Sequence, residues 1–435
     1  MRRRQAAAAL ILTVLLVPPH PLAAAEEAPR LVALRCGRLI DGRHPAPAED
    51  VTILVEGARI RQVGRGLAIP TGASVIDLGR STCLPGLIDN HTHILLQGDI
   101  TSAEYDDQLL KESIPYRAIR ATMAARTALE HGFTAMRDLE TEGAMYADVD
   151  VKTAIERGII PGPRMFVATR ALAPTGMYPL QGFSWELRVP EGVQIADGAD
   201  GLRRAVREQV KYGADWIKYY SDRRYFLKDG ALHSWVNFTD EEARAIVEEA
   251  HRLGRKVAAH AMGREGILSA LNAGVDTIEH GDGLDEETMD IMVRRGVFWC
   301  PTIFVGVYVA QGRADAGAPI WLTMVDLEKQ AFAKALRKGV KIAYGTDAGG
   351  YAWTEPQARE LTYMVRYGMT PLQAIESATR VGAELLGREA DLGTVEAGRY
   401  ADVIAVAGDP LRDIAELEKV RFVMKGGQTV KWDKP

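Results

Sequence analysis

The 435-residue chain is poor in cysteine: Cys36, Cys83 and Cys300 are its only three, and none belongs to a Cys-x-x-Cys pair. A disulfide framework is therefore not what stabilises it. Cys36 and Cys83 can pair if the N-terminal strands bring them together, which the sequence leaves open. There is also no excess of charge of one sign, the formal net charge being -5. That excludes bulk attraction to nucleic acid or to anionic membranes and leaves small-molecule chemistry as the default. Past the first residues, no segment offers the roughly 18 uninterrupted apolar residues that a membrane-spanning helix needs.

What is present begins with "MRRRQAAAALILTVLLVPPHPLAAAEEAPR". Three arginines, an apolar stretch from Ala6 to Val17 and small residues at Ala23–Ala25 follow the three-part layout of a secretory signal peptide. The expected location is secreted or periplasmic, with residues 1–25 removed. With 47% hydrophobic residues, the remainder can bury a large core.

Short β-like runs broken by turns fill the segment from Leu31 to Leu84, and "YADVIAVAGDP" and "VRFVMKGGQTVKW" repeat that texture near the C-terminus. Neither end alone has enough strands to bury a face, so the two ends are expected to build one small β-sandwich, from residues 26–84 and 391–435. Between them, over 85–390, strands alternate with helical segments. Eight strands are predicted: "GLIDNHTH", "FTAMRD", "RMFVAT", "DWIKYY", "KVAAHA", "VDTIEH", "VFWCPT" and "KIAYGTD". Eight such units predict an α/β fold of the TIM (β/α)8 barrel type, in which the C-terminal strand ends carry the chemistry. The long Pro- and Gly-containing segment 171–200 is either a lid or a surface insertion.

"LPGLIDNHTH" places His91 and His93 one residue apart, hence on one face of a strand. Lys218, His260, His280 and Asp347 fall near the ends of the fourth, fifth, sixth and eighth predicted strands. Singly each has an ordinary explanation: a hydrogen-bonded core histidine for His260, loop punctuation for His280, a turn or N-cap aspartate for Asp347. Lys218 lies in an apolar run, where a lysine is costly unless paired, neutral or modified. Jointly the six converge on one barrel mouth, and four imidazoles with a carboxylate suit zinc-like ions.

These motifs resemble the amidohydrolase superfamily. "PGLIDNHTH", "DWIKYY", "AAHA", "IEHGD" and "YGTDAG", with "GRLIDG" early and "GTVEAGRYADVIAV" late, are similar to its imidazolonepropionase-like branch, which includes Xaa-Pro and Xaa-Arg dipeptidases and ochratoxin-hydrolysing amidohydrolases. The resemblance implies two divalent metal ions, zinc by expectation. His91, His93 and Asp347 would hold one, His260 and His280 the other, and Lys218, carboxylated by carbon dioxide, would bridge them. It also implies a homo-oligomer, an octamer in some relatives. Two departures stand out: Met262 replaces a histidine common in relatives, and "APTGMYPLQG" lacks their GGH sequence.

The implied reaction is hydrolysis of the amide to a C-terminal amino acid, in dipeptides or N-acyl amino acids, ochratoxin A (to ochratoxin alpha and phenylalanine) among them. Asp347 would serve as the catalytic proton carrier. A substrate carboxylate calls for a cation, and Tyr220, Arg223 and Arg224 follow the bridging lysine; solvated loop charges are the competing reading. Tyr178, Phe183 and Trp185 are candidates to meet a bulky acyl group. The alternatives are a cyclic-amide hydrolase or deaminase on the same fold and, in another class, a non-catalytic assembly protein, which would be expected to have lost ligands.

Overall fold

The computed structural model describes residues 31–98, 101–178, 180 and 182–434. The N-terminal segment read as a signal peptide lies outside the described residues. Four strands come first: β1 (Leu31–Leu39), β2 (Ala48–Glu56), β3 (Arg59–Arg65) and β4 (Ser74–Pro85). After them come β5 (Leu87–Thr92), β6 (Phe133–Asp138), β7 (Arg164–Val167), the two-residue β8 (Leu172–Ala173) and β9 (Gln194–Ile195), and β10 (Trp216–Tyr220). A hairpin of β11 (Asp222–Lys228) and β12 (Ala231–Val236) precedes β13 (Lys256–Ala261), β14 (Thr277–His280), β15 (Phe298–Cys300) and β16 (Lys341–Ile342). The chain closes with β17 (Val403–Val406), β18 (Phe422–Lys425) and β19 (Gln428–Trp432).

The two chain ends share one seven-stranded sheet, in the order β19-β18-β17-β4-β1-β2-β3. Its inner face buries Leu34, Ile53, Val55, Leu78, Val403 and Phe422 in a core separate from that of the barrel. Cys36 on β1 and Cys83 on β4 form a disulfide across this core, with their Cα atoms 6.0 Å apart. The pairing that the sequence left open is made.

The barrel is a ring of eight parallel strands, β5, β6, β7, β10, β13, β14, β15 and β16, whose ladders run β5-β6-β7 and β10-β13-β14-β15-β16. Backbone hydrogen bonds close the ring. On one side Asp215 N–H donates to the Val167 carbonyl at 2.8 Å. On the other, Asn90 N–H reaches the Tyr344 carbonyl at 3.0 Å and Asp347 N–H reaches that of His91 at 2.7 Å. Helices follow the strands and present their small apolar faces to them, as Ala121, Ala124, Ala125 and Ala128 do from the helix Ile114–Glu130. The glycines predicted to end these helices do so, Gly274 capping Arg264–Ala273 at φ 96°. A TIM barrel carrying a β-sandwich built from both chain ends is thus the observed architecture. The β11–β12 hairpin between β10 and the helix Asp240–Arg252 is an addition that the sequence reading did not foresee.

Candidate metal centre

Strand β5 is buried along its whole length, as are β10 and β14, so the polar side chains at their ends stand in a dehydrated barrel mouth. His91 ends β5 and His93 follows it. Parallel register sets Tyr220 beside His260 and Ala261 beside His280, which brings β10, β13 and β14 to one level. His280 and Asp347 both adopt left-handed backbone, with φ of 70° and 58°. Non-glycine residues are held there only when the surroundings over-determine them, at a cost of order 1–3 kcal/mol each.

The four imidazoles form a chain. Ring centroids lie 5.3 Å apart for His93–His91, 5.0 Å for His91–His280 and 4.6 Å for His280–His260. Asp347 Oδ1 sits at the first end, 3.0 Å from His93 Nε2 and 3.6 Å from His91 Nε2. Ligand atoms of His91, His280 and Asp347 lie within 4.8 Å of one another. Lys218 is buried in the same cavity, and its amine makes no hydrogen bond or ion pair among the described residues. All six sequence-predicted ligands line this cavity of about 420 Å³.

A group of residues outside this set orients the imidazoles. Glu279 accepts from His91 Nδ1 at 2.8 Å and from Arg137 Nη2 at 2.8 Å, all three side chains being fully buried. His93 Nδ1 faces the Glu140 carbonyl at 3.3 Å, and His280 Nδ1 meets Thr302 Oγ1 at 2.8 Å. With Nδ1 engaged on three histidines, their Nε2 atoms are the ones left for the cavity, the arrangement that metal-ligating histidines use. His91 Nε2 is buried and lacks a hydrogen-bond partner. An orphaned imidazole nitrogen beside a carboxylate and a second imidazole fits a divalent cation.

Electrostatics agree with that fit. Burial, with the Lys218 charge second, pushes His91 down to about 4, and burial also holds His260 and His280 well below the ordinary histidine range. These three are therefore neutral, the form that ligates. Burial works against charge on His93 too, but the hydrogen bond and charge of Asp347 outweigh it and raise His93 to about 10. Likewise His91 and His93 overcome burial and keep Asp347 below the usual carboxylate range. For Lys218, burial lowers the pKa and favours the free amine, the form that can react with carbon dioxide.

Of the residues expected to hold substrate, Arg223 lines the cavity, its guanidinium stacked 4.0 Å over the Tyr178 ring and 5.2 Å over that of Tyr220. Arg224 is exposed, reaches Met177 Sδ at 3.3 Å and does not line the cavity. Tyr220 lines it and donates to Glu140 at 2.6 Å. Within 171–200, Tyr178 is buried in the cavity wall, while Trp185 is 91% exposed and Phe183 points to solvent. Sequence reasoning missed Arg137, Glu140, Glu142 and Glu279. The available signal was the one used for Lys218: charged letters inside strands that are otherwise apolar.

Residues 82–430 match the amidohydrolase family. The chain belongs to that family. This amidohydrolase is 32% identical to the ochratoxinase of Aspergillus niger over 95% of its own length and 89% of that protein's. Among solved structures it is similar to a Xaa-Pro dipeptidase with methionine bound in the active site, at 34% identity and a TM-score of 0.83 over 92% of this chain and all of that one. The crystal structure of Aspergillus niger ochratoxinase superposes with a TM-score of 0.79 at 29% identity, covering 94% and 97% of the two chains. The amidohydrolase is thus a hydrolase of amide or peptide bonds.

Proposed function

We propose that this amidohydrolase is a binuclear metal enzyme that removes a C-terminal amino acid from dipeptides or N-acyl amino acids, ochratoxin A among them. The observation carrying this reading is the convergence of His91, His93, Lys218, His260, His280 and Asp347 on one cavity, with His91 Nε2 left without a partner. His91, His93 and Asp347 would hold one divalent ion, zinc by preference, and His260 with His280 the other. The buried free amine of Lys218 would bond through nitrogen to the carbon of carbon dioxide and release a proton, giving a carbamate whose two oxygens reach both ions. Bound there, the ions supply Lewis acidity that acidifies water and polarises the substrate carbonyl.

The chain's own groups account for the rest. Asp347, kept anionic by His91 and His93, takes a proton at its carboxylate from the attacking water and returns it to the departing amine nitrogen. Apolar walls and tyrosines exclude bulk water, which strengthens these interactions. Arg223, rather than Arg224, is placed to receive the substrate carboxylate. Replacing Arg223 with methionine is expected to raise KM about 10- to 100-fold for substrates with a free carboxylate, the loss of one charge-assisted contact. kcat should hold, and a C-terminally amidated substrate should not notice the change. The N-terminal layout and the Cys36–Cys83 disulfide support a location in an oxidising compartment, outside the cytoplasm.

Metal analysis with a panel of dipeptides, N-acyl amino acids and cyclic amides tests the reading. Two ions per chain, release of the C-terminal amino acid, loss of activity with chelator and recovery with zinc are expected. Activity confined to cyclic amides, or indifferent to chelator, overturns it.

A further inference from the structure

Tyr225 belongs to no predicted set, yet its hydroxyl lies 2.7 Å from His260 Nε2 and faces the cavity. It is delivered by the unforeseen hairpin, paired with Ser234 across β11–β12. That hairpin is pinned to the end of β13 and to the helix after it. Asp222 accepts from Met262 N–H at 3.1 Å and Gly263 N–H at 2.9 Å, Ser234 Oγ accepts from Gly266 N–H at 3.1 Å, and Asn237 Nδ2 donates to the Tyr220 carbonyl at 3.0 Å. The ring packs against Leu232, Met262 and Met324. Met262, where relatives have a histidine, serves here as an apolar backing for Tyr225. The hydroxyl is therefore fixed in place before any ligand arrives.

Its position relative to Asp347 decides its use. Along the imidazole chain His93–His91–His280–His260, Asp347 stands at the first end and Tyr225 at the last. A cation taken by His260 Nε2 displaces the hydrogen bond to Tyr225 and leaves a protonated phenol, a good donor, beside the bound ligand. Proton transfer at one end and charge acceptance at the other is the division of labour that amide hydrolysis needs.

We propose that the Tyr225 hydroxyl donates a hydrogen bond to the oxygen of the scissile carbonyl, and that this bond strengthens as the carbon becomes tetrahedral and the oxygen gains negative charge. This makes Tyr225 a catalytic residue, and the inference rests on the C-terminal amide hydrolysis proposed above. A donor aimed at developing charge contributes to kcat rather than to substrate binding.

The test uses metal-loaded wild type and Tyr225→Phe, which keeps the ring in its packing. The variant should lose kcat by about 10²–10³-fold, as removal of one oxyanion donor does, with KM changed less than about threefold. A phosphonate analogue of the tetrahedral species should lose affinity by a similar factor in calorimetry, while the free amino acid product binds as before and metal content stays the same. Unchanged kcat, equal weakening of analogue and product, or loss of bound metal each overturns the proposal. If wild type cleaves no C-terminal amide at all, the functional reading falls and takes this inference with it; full activity in Tyr225→Phe removes this inference alone.

Discussion

Lys218→Ala is expected to yield a folded barrel that binds less metal and hydrolyses substrate at least about 10³-fold more slowly. The reasoning is local. Lys218 is 1% exposed at the middle of β10, and its amine has no hydrogen-bond or ion-pair partner among the described residues. Such a group adds nothing to the stability of the apo-protein, since burying an amine without a partner costs free energy. Its removal should leave the far-UV circular dichroism spectrum as it is, and the melting temperature of the metal-free protein unchanged or higher. What is lost is the atom on which the bridging carbamate is built, so metal stoichiometry and rate should fall together. Metal content and kcat measured on the same preparation check this; a variant with two ions per chain and full activity would falsify the bridging role.

The second large effect is expected at Arg137, which never touches the cavity. Its guanidinium is fully buried, donates to Glu279 at 2.8 Å and to the Asn90 carbonyl at 2.6 Å, and lies 4.5 Å over the Trp216 ring. Arg137→Met leaves Glu279 as a buried carboxylate with no cation. Breaking one side of a buried pair costs about 3–5 kcal/mol, to be read as a shift in the denaturation midpoint of the metal-free protein.

The pH dependence follows from the sign of the shift. In the wild type, burial opposes the Glu279 charge, but Arg137 and His91 outweigh it and hold the carboxyl below its ordinary value. A depressed folded-state pKa contributes stability above the unfolded value of about 4.3, and this is lost as pH falls below it. Without Arg137, burial dominates and the pKa rises above the unfolded value, so acid relieves the variant instead of harming it. The stability gap between the two proteins should therefore narrow as pH is lowered through 5 to 4. A gap independent of pH would show that Arg137 acts through packing alone. Since Glu279 also holds His91 Nδ1, zinc affinity should drop in the same variant.

The site was legible wherever chemistry and periodicity coincided. His91 and His93 share a strand face by simple alternation, and Lys218, His260 and His280 declare themselves by interrupting apolar runs just where strands end. Arg223 and Arg224 could not be separated in this way: neighbours on a strand point apart, and which one faces inward depends on a register shift between Asp222 and Arg224. The hairpin went unread although "KDG" spells its turn, with Asp229 and Gly230 both at positive φ. Its strands carry too many polar residues to resemble the buried ones on either side. Glu279 and Arg137 were visible as letters, but their meaning comes from pairing between strands that stand far apart in the chain, which no local pattern encodes.

The shared terminal sheet has a consequence for how the enzyme is born. β17 pairs with β4 so that Val403 lies opposite Pro85, two residues before the strand that ends in His91 begins. A ribosome delivers β4 and the first two imidazoles early, but the strand that braces them arrives only with the last residues translated. Until then the seam at the base of β5 has an open edge, and the nascent chain carries it through almost the whole of synthesis. Truncation or bulky fusion at the C-terminus should thus disturb the first ligand pair, at the opposite end of the polypeptide.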